Sequence, residues 1–99
     1  MSRDTVRVIA RLKAKPGREG ELRSVAVDLI APTRSEAGCI RYELLENHVD
    51  PAELTFVEEW LNGDALQAHL AKEHVRNALS RWQDLLVGDL DFRRYKLLG

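Results

Sequence analysis

A single cysteine, Cys39, excludes an internal disulfide, a CxxC redox pair and any cysteine-rich metal site. Cys39 lies in a strand-like run with no adjacent base, which points to packing and not to a reactive thiol. Charge of one sign is equally scarce: 15 Lys and Arg face 16 Asp and Glu, for a formal charge of -1. That balance offers no footprint to phosphate backbones or anionic lipid, so neither nucleic acid nor membrane is an expected partner. No apolar run approaches the ~20 residues of a membrane span. Met1-Ser2-Arg3-Asp4 leads into a strand and not into a signal-peptide core, and a cytoplasmic location is expected. GxGxxG and phosphate loops, solenoid-period repeats and low-complexity tracts are also missing.

What is present is a chain of 99 residues, 44% hydrophobic and 31% charged. This is enough apolar material for one core and far from the composition of disorder, so residues 1–99 are expected to form one domain.

Periodicity orders the elements. Thr5 to Ala14 alternates, with Val6, Val8, Ala10, Leu12 and Ala14 opposite Arg7, Ile9, Arg11 and Lys13, the period-2 pattern of a strand. After Pro16-Gly17, Leu22, Val25, Ala26, Leu29, Ile30 and Thr33 form a helical stripe, with a kink expected near Ile30 because Pro32 removes a donor. Cys39 to Asn47 reads as a second strand, with Ile40, Tyr42 and Leu44 opposite Cys39, Arg41, Glu43 and Leu45. A polar Pro-containing turn leads to a third strand, Glu53 to Trp60. Asn62 and Asp64 both suit a helix N-cap, and a second helix follows, with a bend near Lys72 to His74 and an apolar stripe through Val75, Ala78, Leu79, Trp82, Leu85 and Leu86. Leu90 to Leu98 alternates as a fourth strand. The order β-α-β-β-α-β is that of an α+β, ferredoxin-like sandwich with both helices on one sheet face. The other face, with Ile9, Leu45, Val57, Tyr95 and Leu97 among Arg7, Arg11, Glu59 and Arg93, is half apolar. It is expected to be covered by a second copy in a homodimer in which the two sheets pack face to face.

The stretch Phe56 to His69 carries an indole, Trp60, from a strand end into a helix bearing an imidazole, His69. A flat aromatic and a titratable ring are thereby expected beside one sheet–helix junction. Trp60 and His69 also have plain structural readings, as a core aromatic and as a helix histidine bonded to a neighbour. His74 is expected to point elsewhere round the helix as a turn or cap residue, and Trp82 to belong to the core. A metal is not expected, since His69 and His74 are five apart and not four, and no third ligand is advertised.

Four pieces, in this order and spacing, carry a resemblance: Val8-Ile9-Ala10-Arg11-Leu12-Lys13-Ala14-Lys15-Pro16-Gly17, Thr33-Arg34-Ser35-Glu36-Ala37-Gly38-Cys39-Ile40-Arg41-Tyr42-Glu43, Phe56-Val57-Glu58-Glu59-Trp60, and His69 with His74. The chain resembles the antibiotic biosynthesis monooxygenase family, small dimeric α+β barrels that include quinol monooxygenases. The resemblance implies a homodimer and, as in the studied members, oxidation of an electron-rich aromatic by dioxygen without metal, flavin or nicotinamide. The related haem-degrading branch uses an Asn where Ala10 stands here, which argues against haem.

The chemistry has a simple logic. Triplet dioxygen reacts slowly with closed-shell molecules, so a protein without a cofactor must turn its substrate into a better electron donor, and deprotonating a phenol or hydroquinone does so. His69, with an ordinary imidazole pKa of ~6.5, is the expected base, and Trp60 the flat wall of an apolar pocket. Tyr42 is expected to add a hydroxyl, and Arg41 or Arg11 a charge for the phenolate. Two rival functions stay open at this point: an isomerase or degradative enzyme that moves a proton on a small metabolite without oxygen, and a non-catalytic dimeric protein that holds a hydrophobe.

Overall fold

The computed structural model describes residues 5–99; the expectation that Met1 to Asp4 lead directly into a strand lies outside these residues. Four strands, β1 (Val6–Lys13), β2 (Cys39–Glu46), β3 (Glu53–Trp60) and β4 (Asp91–Tyr95), form one sheet in the order β2-β3-β1-β4, with every neighbouring pair antiparallel. Four helical segments join them: α1 (Glu19–Asp28), α2 (Ile30–Arg34), α3 (Gly63–Leu70) and α4 (Glu73–Leu85). The arrangement is the expected α+β ferredoxin-like fold. Strand β4 is shorter than the alternation of Leu90 to Leu98 suggests.

Alternation decides which side chains reach the core. Val8, Ala10 and Leu12 from β1 and Leu54, Phe56 and Trp60 from β3 are buried together with Leu22, Val25, Ala26 and Leu29 of the first helical stripe and Leu66, Ala78, Trp82 and Leu85 of the second. The opposite face holds Arg7, Ile9 and Arg11 beside Glu59, Val57 and Thr55, in register across β1 and β3. Leu45 and Tyr95 stand there about half exposed, and Arg7 pairs with Glu59 at 3.5 Å.

Four local features place the site. The first helical stripe breaks at Leu29, which separates α1 from α2, close to the position that Pro32 predicts. The second breaks after α3: Lys72 is extended, so α4 leaves in a new direction. Asn62 caps α3 by accepting a hydrogen bond from the Ala65 amide at 2.8 Å. Finally, β2 enters the sheet through a bulge. Cys39 is in register with Trp60 and Arg41 with Glu59, so Ile40 is the extra residue. Cys39 therefore packs against the core and Ile40 is exposed, the reverse of simple alternation.

Gly38 sits where α2, β2 and α3 meet. Its φ is +84°, and a Cβ placed there would lie 2.6 Å from Ala65 Cβ, while its carbonyl accepts from the Leu61 amide at 2.8 Å. Alanine at this position carries both a left-handed backbone penalty and a clash with α3. Gly38→Ala is expected to destabilise the protein by about 1–3 kcal/mol in urea denaturation; an unchanged midpoint would show that α3 yields freely.

Candidate functional site

The site is built from four segments. Strand β3 supplies Glu58 and Trp60, β2 supplies Tyr42, the turn after α2 supplies Glu36, and the broken second helix supplies His69 from α3 and His74 from α4. The turn is held by the Glu36 amide on the Thr33 carbonyl (3.0 Å) and the Cys39 amide on the Glu36 carbonyl (3.2 Å).

At its centre the His69 imidazole lies against the Trp60 indole, with ring centroids 4.5 Å apart and planes inclined by 34°. Tyr42 approaches His69 edge-on at 5.7 Å and stacks obliquely on Phe56 at 5.0 Å. His69 Nδ1 donates to both oxygens of Glu36 (3.1 and 3.0 Å), and His74 Nε2 donates to Oε2 of the same carboxylate at 2.6 Å. Since a carboxylate only accepts, this network keeps the proton of neutral His69 on Nδ1 and leaves Nε2 as the free nitrogen. The side chains of His69 and Glu36 are 4% and 6% exposed, whereas that of His74 is 27% exposed and connects the network to the surface.

Electrostatics separates the roles of these groups. Burial lowers the His69 pKa, opposed by the bond to Glu36, so the imidazole is favoured in the neutral, proton-accepting form. Burial pushes the Tyr42 phenol well above its usual range, with the Glu58 charge adding to the effect. Tyr42 can hold a hydrogen bond but cannot serve as a base. The Cys39 thiol is also raised, first by burial and then by Glu36 and Glu58, consistent with a packed and unreactive cysteine.

Glu58 belongs to the site although no sequence motif marks it. It is 4% exposed, accepts a hydrogen bond from Trp60 Nε1 at 2.9 Å, and burial pushes its carboxyl up to about 7 despite that bond. In the folded protein it therefore holds its proton at pH values where an unfolded chain, with an ordinary value of 4.5, has lost it. Glu58 thus costs no stability at low pH, and costs progressively more as pH rises from the unfolded value through about 7. Glu58→Gln keeps an acceptor for Trp60 without that cost. The stability of the Gln variant relative to the parent is expected to rise by up to about 3 kcal/mol between pH 4 and pH 8 in urea denaturation; a difference independent of pH would show that Glu58 is not held in this way.

Several expected placements are corrected. Arg11 and Arg41 do not join the cluster. Arg11 alternates with the buried Ala10 and Leu12 and is exposed on the open face, in register with Thr55 and Asp91. Arg41 is likewise exposed, in register with Glu59 on that face. It borders a 420 Å³ cleft along β2 that Tyr42, Cys39 and Arg34 also line. His74 does not point away from His69. The i,i+4 spacing applies only within a continuous helix, and the break after α3 brings the two imidazoles to 6.3 Å. Nor is a third potential ligand missing: Glu36 converges on both histidines, and one donor atom from each of the three residues lies within 4.8 Å of the others. Trp60 is not a free wall either. It is fully buried and one face meets His69, so a ring could stack on that face only by displacing the imidazole.

Among the described residues no helix is long and apolar enough to cross a membrane. The sequence profile of the antibiotic biosynthesis monooxygenase family matches residues 5–81. A Mycobacterium tuberculosis protein provisionally named a monooxygenase is 36% identical over 82 residues, which cover 83% of this chain and 80% of that one. Its solved structure superposes with a TM-score of 0.91 over 96% of each chain, at 30% identity over the structural alignment. An uncharacterised Synechocystis protein is 30% identical over 95% of this chain, which spans 64% of that longer protein. A Shewanella oneidensis structure aligns with a TM-score of 0.91 at 29% identity, covering 97% and 93% of the two chains. With the match running through both the Glu36 turn and the His69–His74 helices, the chain belongs to the antibiotic biosynthesis monooxygenase family.

Proposed function

We propose that the protein is a cofactor-independent monooxygenase that oxidises a hydroquinone or other phenolic aromatic with dioxygen. One observation carries this reading: a buried imidazole whose Nδ1–H is held by Glu36 and whose ring lies against Trp60. That arrangement fixes the tautomer and orientation of a base, the task a carboxylate performs in other imidazole catalysts. His69 Nε2 takes the proton of the phenol, Glu36 stabilises the imidazolium that forms, and the phenolate passes electrons to dioxygen. Overall, a phenol with a free para carbon and one dioxygen become a quinone and one water, and a hydroquinone and one dioxygen become a hydroxyquinone and one water; in each case a ring C–H carbon gains one oxygen atom and the other oxygen leaves as water. Tyr42, kept protonated, donates a hydrogen bond to the developing oxyanion. The β2 cleft, within the size range of small-molecule sites, admits the substrate beside Tyr42.

The same buried dyad serves equally a proton shift on a small metabolite without oxygen, and the close packing of Trp60 on His69 also suits a protein that binds without turnover. Oxygen-electrode measurements on chelator-treated protein with a panel of hydroquinones and polycyclic phenols separate these readings. Uptake of one dioxygen per quinone formed is expected. Substrate binding with no uptake would reject the oxygenase.

The reading includes a homodimer in which the open sheet face, with Ile9, Val57, Leu45 and Tyr95, packs on the same face of a second copy. Sedimentation equilibrium is expected to give twice the chain mass, and a Val57→Asp change to shift the mass toward one chain; a parent protein that sediments at one chain mass would remove the dimer from the reading.

A further inference from the structure

We propose that Glu36, His69 and His74 form a binding site for a borderline divalent cation of the zinc type, and that its occupancy switches off His69 as a base. This second half rests on the proposed function, whereas the first half stands on geometry alone.

Two imidazoles and one carboxylate converge from the turn after α2, from α3 and from α4. Glu36 Oε2 is 3.0 Å from His69 Nδ1 and 2.6 Å from His74 Nε2. Around a tetrahedral zinc with bonds of about 2.1 Å, donor atoms stand roughly 3.4 Å apart. The set thus needs to open by less than about 1 Å to admit the ion, and the separations within 4.8 Å already bracket the required spacing. His69 is held by Trp60 and Tyr42 on its ring faces and edge, so little orientational freedom is lost on coordination. The helix break after α3 gives α4, and His74 with it, an independent direction.

The donor set selects the metal. Two neutral nitrogens with one carboxylate suit zinc, cobalt or copper, not magnesium or calcium, which take oxygen ligands. The route to the site is also visible. His74 is partly exposed and lines a cleft of 210 Å³ between α1 and α4, together with Asp28, Asn77 and Arg81. Water from this cleft supplies the remaining coordination position.

Coordination has a chemical consequence for His69. A metal on Nδ1 displaces the proton from that nitrogen, and a neutral imidazole must then carry its one proton on Nε2. The free nitrogen changes from proton acceptor to proton donor, and base catalysis stops without any change of fold.

The test uses the full chain, stripped of metal with a chelator that is then removed. Titration with Co²⁺ is expected to give visible d–d bands that saturate at one equivalent and are bleached by Zn²⁺. His74→Gln, at the most exposed of the three positions, and Glu36→Gln are each expected to weaken Zn²⁺ binding by at least about tenfold; circular dichroism verifies that they fold. Absence of saturable Co²⁺ bands in the parent, or bands of equal affinity in both variants, overturns the site. With a turning-over substrate, one equivalent of Zn²⁺ is expected to abolish oxygen uptake, and a chelator to restore it. Zinc bound at full occupancy with undiminished uptake overturns the switch. Should the metal-free parent show no uptake with any phenol, the oxygenase reading fails while the cobalt titration still decides the site.

Discussion

Glutamine in place of His69 is expected to lower oxygen uptake with a hydroquinone by roughly two to four orders of magnitude, the range over which a positioned proton acceptor accelerates a reaction. Glutamine approximates the reach of histidine, and its amide N–H can donate to Glu36 as Nδ1–H does at 3.0 Å. What it lacks is a basic nitrogen in the position of Nε2. The loss should therefore fall on kcat, with substrate affinity nearly unchanged, because the β2 cleft and the Tyr42 hydroxyl remain. Oxygen-electrode kinetics with a separate equilibrium binding measurement distinguish the two. A variant that turns over at the parent rate would remove His69 from the reaction, and Glu58, a buried carboxyl whose pKa burial raises to about 7, would be the next group to test.

Truncating Trp60 is expected to have the largest effect on stability. The indole is fully buried, with one face on His69. Trp60→Ala should cost about 3–5 kcal/mol, the usual penalty for emptying an aromatic core position. That is a large share of the roughly 5–15 kcal/mol that holds such domains together. Trp60→Phe restores most of the volume and isolates the second effect. Glu58 then loses the N–H that it accepts at 2.9 Å, at a cost of about 1–3 kcal/mol. Because that N–H is what lowers the Glu58 pKa against burial, its removal should raise the value further. The penalty of Trp60→Phe should thus grow with pH, and combining it with Glu58→Gln should cancel the growth. Denaturant midpoints for the four proteins at pH 5 and pH 8 provide the check. Additive, pH-independent losses would mean that Trp60 and Glu58 are not coupled.

Both predictions concern residues whose legibility in the sequence differed. Trp60 and His69 were conspicuous because aromatic and imidazole side chains are few and lie near one strand end, and the rings do meet. Glu58 was legible in principle. It shares the period-2 face of Phe56 and Trp60, and a carboxylate interrupting an apolar face is a signal that the strand pattern itself contains. Glu36 had no such signature, since it is one of 16 acidic residues in a turn without periodicity. Only the closure of that turn by Gly38 against α3 carries it to His69.

The linear pattern by itself determined the order of elements, the sheet face that each side chain of β1 and β3 occupies, and, to within a residue or so, that the first helical stripe breaks near Ile30 and the second near Lys72. These follow from local rules: alternation, helical spacing and the behaviour of proline. The tertiary structure alone decided the company that the site residues keep. A one-residue bulge at Ile40 exchanges the sides of Cys39 and Ile40, and a helix break converts an unfavourable five-residue spacing into two imidazoles on one carboxylate. Neither outcome is local. Each depends on how separate segments approach one another, which is set by the packing of the whole core and not by any window of the chain.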